Sequence, residues 1–568
     1  MNTLRVLSFL RSRYFVATIA GLLWTAAFPK IGIAGFAWIV PGVMVASALG
    51  TRKGERFRIG YVAGLAHYLS MLYWLLLIPY RWMGIPFGPA LGWLALSGFL
   101  ALFPAAWVCL VTPTHSGLNI KYSILEGLGA VLPRNWFLRL FWALLGAAAW
   151  VGMEMFVARV FGGFAWDLLG VSQFRMTPLI QISSVTGVYG LSFLIVWLSL
   201  SLTSAGVMVI KRPHGRSVWV GEVFLPTIVV AVLFNFGMRE LRREPASART
   251  IRLTLIQPSI PQELIWDQAN DTRRFDELIQ LSELALRNQT DCIIWPEAAV
   301  PRMLLHDKET YESVTGLARR HQVWMIVGSD DAEPRPGAAA GRPEYEFYNS
   351  SFLISPEGKV IERYKKRDLV MFGEYVPLRR WLPFLKYLTP IEEGGFTPGT
   401  KTVPFGLASL QVKTQVLICF EDIFPQLARE NLRPDIDFLV NLTNDGWFGQ
   451  GAAQWQQAAT GLFRAVENHL PLVRCSNNGL TCWVDDRGVL RDVLADAQGT
   501  IYGKGFLPVE LPLPAAGTLH AQTFYTRHGD WFGWDCSGVA LLWLAVKISK
   551  CWRGSTEAVA TGDSGKAA

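Results

Sequence analysis

The sequence predicts two fold classes in one chain: a multi-span α-helical membrane domain, then an α/β layered domain. Three observations carry this. Hydrophobic residues make up 51% of the 568 residues and charged ones 17%, with 23 Trp and 33 Phe, which is too apolar for a soluble chain of this length. Apolar runs of span-like length, charge-free except for Glu154, Arg159 and Glu222, alternate with short basic loops as far as Met238. After Arg239 short strands alternate with amphipathic helices, the pattern of a layered α/β domain.

The runs at 14–29, 31–51, 59–80, 88–112, 141–161, 189–210 and 218–238 predict seven spans. The first is short for a bilayer unless its flanks snorkel. The charge-free stretch before residue 189 reads as a loop or interfacial segment. The N-terminus (Arg5, Arg11, Arg13) and the loops at 52–58, 121–134 and 211–216 hold most of the Lys and Arg, whereas the alternate loops hold only Lys30, Arg81 and Arg175. Basic loops stay cytoplasmic. The N-terminus is therefore expected inside, and residues after 238 outside. An eighth span at 534–550 returns a tail with Lys547, Lys550, Arg553 and Lys566 to the inside. The domain boundaries follow: 1–238 transmembrane, 239–520 catalytic and on the outer face, 521–568 the eighth span and cytoplasmic tail. No small-residue cleavage site follows the first apolar run, so it reads as an uncleaved anchor. Glu154 is ionisable inside the fifth span and is a functional candidate on that ground, with Arg159 or a lipid headgroup as its expected partner.

Composition also excludes some classes. The seven cysteines (Cys109, Cys292, Cys419, Cys475, Cys482, Cys536, Cys551) include no C-x-x-C pair, so neither a zinc site nor a redox motif is suggested, and an odd number gives no disulfide framework. The net charge of +8 is not gathered into a basic stripe with interleaved aromatics, so no nucleic-acid partner is expected. No repeat of 20–50 residues is present.

In the outer domain, strands are expected at 252–257, 292–295, 323–327, 351–354, 360–364, 415–418, 438–442 and 473–476, and helices at 270–287, 308–320 and 454–467. Three stretches carry chemistry. Trp295-Pro296-Glu297 ends an apolar strand on a carboxylate. Lys366 follows the hairpin around Pro356-Glu357-Gly358, with Glu374 eight residues on. Cys419 ends the apolar run 415–418, with Glu421 and Asp422 behind it. A thiol is a weak nucleophile until a base takes its proton, and a carboxylate can do so. A nearby ammonium favours the thiolate and stabilises an oxyanion. Taken singly, a helix-capping Glu297, a hairpin-edge Lys366 and a core Cys419 are the ordinary readings. Three such groups at strand ends of one domain, in the order Glu, Lys, Cys, are read as a catalytic set.

Trp-Pro-Glu, Lys-x7-Glu and Cys-x-Glu in this order resemble the nitrilase superfamily. More specifically, the chain resembles apolipoprotein N-acyltransferases. Gln257-Pro258-Ser259-Ile260-Pro261-Gln262, Trp266-Asp267, Phe372-Gly373-Glu374-Tyr375-Val376-Pro377, the run from Asn441 to Gly449, and Arg474 with Asn477-Asn478-Gly479 carry the likeness in the outer domain. Gly163-Phe164-Ala165-Trp166 and the run from Gly187 to Phe193 carry it in the membrane part. The insert at 118–133 and the tail at 554–568 fall outside it.

The resemblance implies a nitrilase-like αββα sandwich and an enzyme of the bacterial inner membrane. Its catalytic domain would face the periplasm and both termini the cytoplasm. Glu297 would be the general base, Cys419 the nucleophile and Lys366 the oxyanion partner. Cys419 would attack the sn-1 ester of a phospholipid, usually phosphatidylethanolamine. The thioester would then pass its acyl chain to the α-amine of an S-diacylglyceryl-cysteine apolipoprotein. Glu374 and Glu421 would support the site, and Trp266, Trp447 and Phe448 would shelter an acyl chain or gate entry, or simply pack as core. Neither metal nor cofactor is implied, and a monomer is expected. Phe420, Met371, Gly446 and Ala165 replace residues frequent in the family (Tyr, Pro, Ala and Pro), which puts donor preference in question but none of the three catalytic residues. Two rivals stand beside this reading. One is a membrane-tethered nitrilase-type amidohydrolase, which gives no reason for eight spans. The other is a transporter or scaffold with a dead outer domain, which the complete Glu297–Lys366–Cys419 set argues against.

Overall fold

The computed structural model describes residues 12–79, 87–113, 132, 135–211, 219–243, 248–265, 267–335, 345–377, 395–430 and 432–560. Trp266, the basic loop at 212–216, all of the 118–133 insert but Leu132, and residues 561–568 lie outside the described residues.

The N-terminal part is helical: α1 (Arg13–Ala26), α2 (Val40–Ala48), α3 (Lys53–Met71), α4 (Gly88–Leu100), α5 (Leu102–Val111), α6 (Trp136–Val157), α7 (Val188–Lys211) and α8 (Val220–Arg242). The segments Gly88–Val111, Trp136–Val157, Val188–Ile210 and Val220–Arg242 are long and apolar enough to cross a bilayer, and so is Trp531–Ser549 near the C-terminus. The first two apolar runs fold as shorter pieces, α1 with 14 residues and α2 with 9. Helix α1 packs so closely on α3 that a Cβ on Gly21 would lie 2.2 Å from the Ala63 carbonyl oxygen, the close approach that small residues permit between membrane helices.

Two expectations change here. The 52–58 stretch is largely not a loop, since α3 begins at Lys53. Arg56 is buried, donating from Nε to the Thr51 carbonyl (2.9 Å) and from Nη1 to that of Thr112 (3.0 Å), so its charge ties a helix start to a helix end. Nor is Arg159 the partner of Glu154. Glu154 Oε1 accepts from the Trp150 indole at 2.9 Å and from the Leu169 backbone N–H at 2.7 Å, while Arg159 pairs with Asp530 and lies over the Trp534 ring. Trp150 lies four residues before Glu154 on one face of the helix, whereas Arg159 is five residues on and beyond the helix end at Val157. A second buried pair, Arg139 on α6 with Glu222 on α8 at 2.9 Å, also takes the Ser204 hydroxyl of α7 at 3.0 Å, so three helices share one satisfied charge pair.

The outer domain runs β1 (Arg249–Gln257), α9 (Asp271–Ala285), β2 (Cys292–Ile294), α10 (Lys308–His321), β3 (Trp324–Pro334), β4 (Tyr345–Ile354), β5 (Val360–Lys365), β6 (Phe405–Leu407), β7 (Val412–Ile418), β8 (Phe438–Thr443), α11 (Ala453–Asn468), β9 (Leu472–Ser476), β10 (Cys482–Val484), β11 (Leu490–Val493) and β12 (Gly505–Leu513). These form two six-stranded sheets, β12-β1-β2-β3-β4-β5 and β11-β10-β9-β8-β7-β6. In each, three central strands are parallel and the flanking pairs antiparallel. Strand alternation sorts the side chains. Leu253, Ile294, Ile326 and Leu353 meet Val416, Val440 and Val473 of the other sheet, while Ile293, Met325, Val327 and Phe352 pack under α9 and α10. The second sheet carries α11 on its outer face. The layers are therefore α, β, β, α, as expected for the sandwich.

Helix α11 also joins the domain to the membrane helices. Its Leu462, Phe463 and Val466 share one apolar cluster with Trp166, Ile180 and Val188. Gln456 Oε1 accepts the indole N–H groups of Trp74 (3.0 Å) and Trp166 (2.9 Å), and its Nε2 donates to the Pro29 carbonyl (3.1 Å). Glu467 accepts the Val188 backbone N–H at 3.0 Å. The chain ends on α12 (Trp531–Ala560), which packs along α6.

Candidate active site

Cys419 stands where β7 ends. Its backbone is left-handed, with φ of 51°, in a short 3-10 turn over Cys419–Ile423. For a side chain with a Cβ this conformation costs on the order of 1–3 kcal/mol and persists only if neighbours enforce it. They do: the Cys419 carbonyl accepts from the side-chain amides of Asn441 and Gln457, each at 3.0 Å. The sheet thus sets the stem, and two amides set the turn.

Glu297 follows β2. The chain turns at once, at Ala298 with φ of 47°, and β3 passes so close behind that a Cβ on Gly328 would sit 2.2 Å from the Pro296 carbonyl oxygen. Lys366 follows β5 and Glu374 lies eight residues on, after Phe372 with φ of 60°. Lys366 Nζ lies 3.3 Å from Glu297 Oε1 and 2.9 Å from Glu374 Oε1. The Asn349 side-chain amide on β4 donates to the same two oxygens, at 2.8 and 2.9 Å. Glu374 Oε2 accepts the Val370 backbone N–H at 2.8 Å. Glu297 Oε2 is buried with no hydrogen-bond partner among the described residues. Glu297 therefore has one oxygen fixed by two donors and one left over to accept a proton.

Burial, then the negative charge of Glu297, push the Cys419 thiol above its ordinary range, while Lys366 and a hydrogen bond with Thr443 pull the other way. The resting sulfur is a thiol, and activation has to come from a base at the moment of attack. Burial pulls Lys366 down, but the Glu374 and Glu297 carboxylates outweigh it and hold the ammonium well above the ordinary lysine value. A lysine that stays charged is an oxyanion donor rather than a base.

Glu421 is fully buried and never reaches toward solvent. Its Oε2 accepts the Ile418 backbone N–H at 2.7 Å, its Oε1 accepts that of Arg367 at 2.7 Å, and both oxygens receive the Tyr364 hydroxyl, at 3.0 and 2.9 Å. It staples the residue before the nucleophile to the residue after the lysine. Burial raises its proton affinity, which those donors oppose. Behind the turn, Arg474 is buried between Asp422 (2.7 Å) and Asp445 (2.9 Å) and also donates to Asn441 (2.9 Å), the amide that holds Cys419.

The structure thus brings Glu297, Lys366, Cys419, Glu374 and Glu421 together. Phe448 is half-buried at the junction with the membrane helices, its ring 4.6 Å from Trp74 and 6.1 Å from Trp166. Phe420, beside the nucleophile, lies 6.3 Å from Trp166. Trp447 is half-buried beside them in sequence, and Trp266 lies outside the described residues. Sequence reading missed Asn349, Gln457 and Gly328. No local signal marks them: Asn349 sits in a strand that also holds Glu346, Ser350 and Ser351, and all three reveal their roles only through contacts distant in sequence.

Comparison with known proteins agrees with this architecture. The family model described as carbon-nitrogen hydrolase matches residues 252–504, and that of the apolipoprotein N-acyltransferase N-terminal domain matches residues 20–201. An apolipoprotein N-acyltransferase of Geobacter metallireducens is 34% identical over 550 residues, 95% of this chain and 96% of its own length. Those of Chlorobaculum tepidum and Vibrio vulnificus are 29% and 27% identical, over 88% and 95% of this chain and 96% of each relative. Among solved structures, Saccharomyces cerevisiae Nit3, a member of branch 10 of the nitrilase superfamily, is 18% identical with a TM-score of 0.34, covering 47% of this chain and 92% of its own.

Proposed function

The chain belongs to the apolipoprotein N-acyltransferase family, and from that premise we propose that it moves a fatty acyl chain from a membrane phospholipid, through a Cys419 thioester, to the N-terminal α-amine of a diacylated apolipoprotein. The observation that carries this is the buried Glu297–Lys366–Cys419 set, with a free Glu297 oxygen, on a domain whose α11 is built into the membrane helices.

In the first step Glu297 takes the Cys419 proton as sulfur attacks the sn-1 ester carbonyl. Lys366 stabilises the tetrahedral oxyanion. Glu297 returns the proton to the leaving alkoxide, which departs as a lysophospholipid. In the second step the α-amine attacks the thioester, and Glu297 carries a proton from nitrogen to the departing sulfur. Glu374 holds Lys366, and Glu421 holds the two loops in register. The aromatic floor of Phe420, Phe448, Trp74 and Trp166 suits an acyl chain and excludes water from the thioester. Phosphatidylethanolamine is the proposed donor. The bacterial inner membrane, with the catalytic domain toward the periplasm and both termini cytoplasmic, is the proposed setting.

Incubating the purified protein with defined phospholipids and a diacylated lipopeptide tests this. The expected products are a triacylated lipopeptide and a lysophospholipid in equal amounts. Free fatty acid without N-acylated peptide would favour the amidohydrolase-like alternative.

A further inference from the structure

The mechanism leaves titratable groups beside the site unused, Asp330 and Asp368 among them. Asp330 on β3 lies directly opposite Asn349 on β4. Opposed residues of an antiparallel pair share a face, with Cβ atoms about 5 Å apart. Ile326 and Leu353, in phase with them, face the second sheet, so Asp330 and Asn349 look toward the side from which Cys419 comes. The Asn349 amide N–H groups are already donated to Glu297 and Glu374, and its Oδ1 is buried without a partner among the described residues, as is Glu297 Oε2. The Asp330 carboxylate is half-buried and makes no hydrogen bond to a described residue. Burial, then repulsion by Glu297 and Glu374, push its proton affinity up to about 7; Lys366 opposes this and Asp331 adds to it. The nearby cation, Lys366, is held by the two glutamates. Asp330 and Asn349 Oδ1 thus stand as acceptors beside the Glu297–Lys366 pair with no donor supplied by the described residues. A group rich in N–H donors and positively charged complements them.

We propose that Asp330, with Asn349 Oδ1, binds a primary ammonium group of the substrate. This rests on the acyl-transfer reading above. Two sources share that chemistry, the N-terminal α-ammonium of the acceptor and the ethanolamine headgroup of the donor. For the acceptor, the protons balance as follows. The ammonium gives one proton to the Asp330 carboxylate, which passes it to water. The freed lone pair forms the C–N bond as the C–S bond breaks, and Glu297 carries a second nitrogen proton to the Cys419 sulfur.

The test follows both half-reactions by intact-protein mass spectrometry on the full-length protein and on Asp330→Asn and Asp330→Glu. Acylation is measured with phosphatidylethanolamine and with phosphatidylglycerol, which carries no ammonium. Discharge is measured with a diacylated lipopeptide and with hydroxylamine, a nucleophile that is uncharged at neutral pH. If the ammonium belongs to the acceptor, Asp330→Asn lowers the ratio of lipopeptide to hydroxylamine discharge on the order of 10-fold, the size of one charge-assisted hydrogen bond. If it belongs to the donor headgroup, the ratio of ethanolamine- to glycerol-lipid acylation falls instead. In either case Asp330→Glu recovers part of the loss. Equal effects on charged and uncharged partners, or no effect on any, would overturn the proposal. Failure of the unsubstituted protein to form an acyl-enzyme would instead overturn the thioester reading on which it rests.

Discussion

At the scale of single residues, the site divides into groups that react and groups that hold them. Glu297 keeps one oxygen bound to Lys366 and Asn349 and one oxygen without a partner among the described residues. Glu297→Gln keeps the shape and removes the proton acceptor, so turnover should fall to background while the fold is retained. Lys366→Ala removes the oxyanion donor and should cost about 100- to 1,000-fold in kcat. Near wild-type turnover in either variant would refute its role. The thiol gives a pH prediction of known sign. Burial and Glu297 raise the Cys419 proton affinity, so the reactive thiolate is scarce at neutral pH and grows as pH rises. Alkylation of Cys419 by iodoacetamide should therefore climb continuously to roughly pH 9 without a plateau near neutrality. A plateau below about pH 7 would mean a preformed thiolate, as in low-pKa cysteines.

At the scale of elements, apolar strands ending on chemistry were readable, because β2 and β7 are short apolar runs bounded by Glu297 and Cys419. The ends less so. Strand β3 continues through Ser329, Asp330 and Asp331, whose polarity hides a strand that antiparallel pairing with β4 sustains. Strand β12 contains Pro508 and Pro512, which argue against a strand unless it lies at an edge, where β12 does lie. The short strands β6 and β11 are likewise at sheet edges, and with three-residue β10 they carry little periodicity. In the site, residue types at strand ends were legible, whereas the amides of Asn349, Asn441 and Gln457 work through single contacts far away in sequence, which spacing does not encode. The junction is also an element-scale feature. Gln456 satisfies two indoles and one carbonyl across the domain boundary. Gln456→Leu leaves those groups buried, at about 1–3 kcal/mol for each one that finds no partner. Thermal unfolding in detergent should show a clear fall in Tm; an unchanged Tm would contradict the bracing role.

At the scale of the whole molecule, Arg13, Arg56 and Lys547 lie at one end of the helix bundle and the α/β domain meets the other. Arg13 donates to the carbonyls of Ser47 (2.8 Å) and Leu49 (2.6 Å), Arg56 to that of Thr112, and Lys547 to that of Leu110. Pro29, Trp74 and Trp166 meet α11 at the opposite end. The positive-inside rule then predicts that a reporter fused after residue 216 is cytoplasmic and one fused near residue 337 is outside. Both on one side would refute the seven-span count before the catalytic domain. On the function proposed above, both substrates come from the bilayer, and a thioester lets one site serve them in turn. The first half-reaction should therefore stop when no amine is present. Intact-protein mass spectrometry of the purified protein after incubation with phospholipid alone tests this most directly. The account predicts one fatty-acyl mass increment, mapped to Cys419, stable until a lipopeptide with a free N-terminal amine is added and not discharged by its N-acetylated counterpart. An increment on Cys475 or Cys482 instead, or rapid loss of the acyl group to water without any amine, would contradict it.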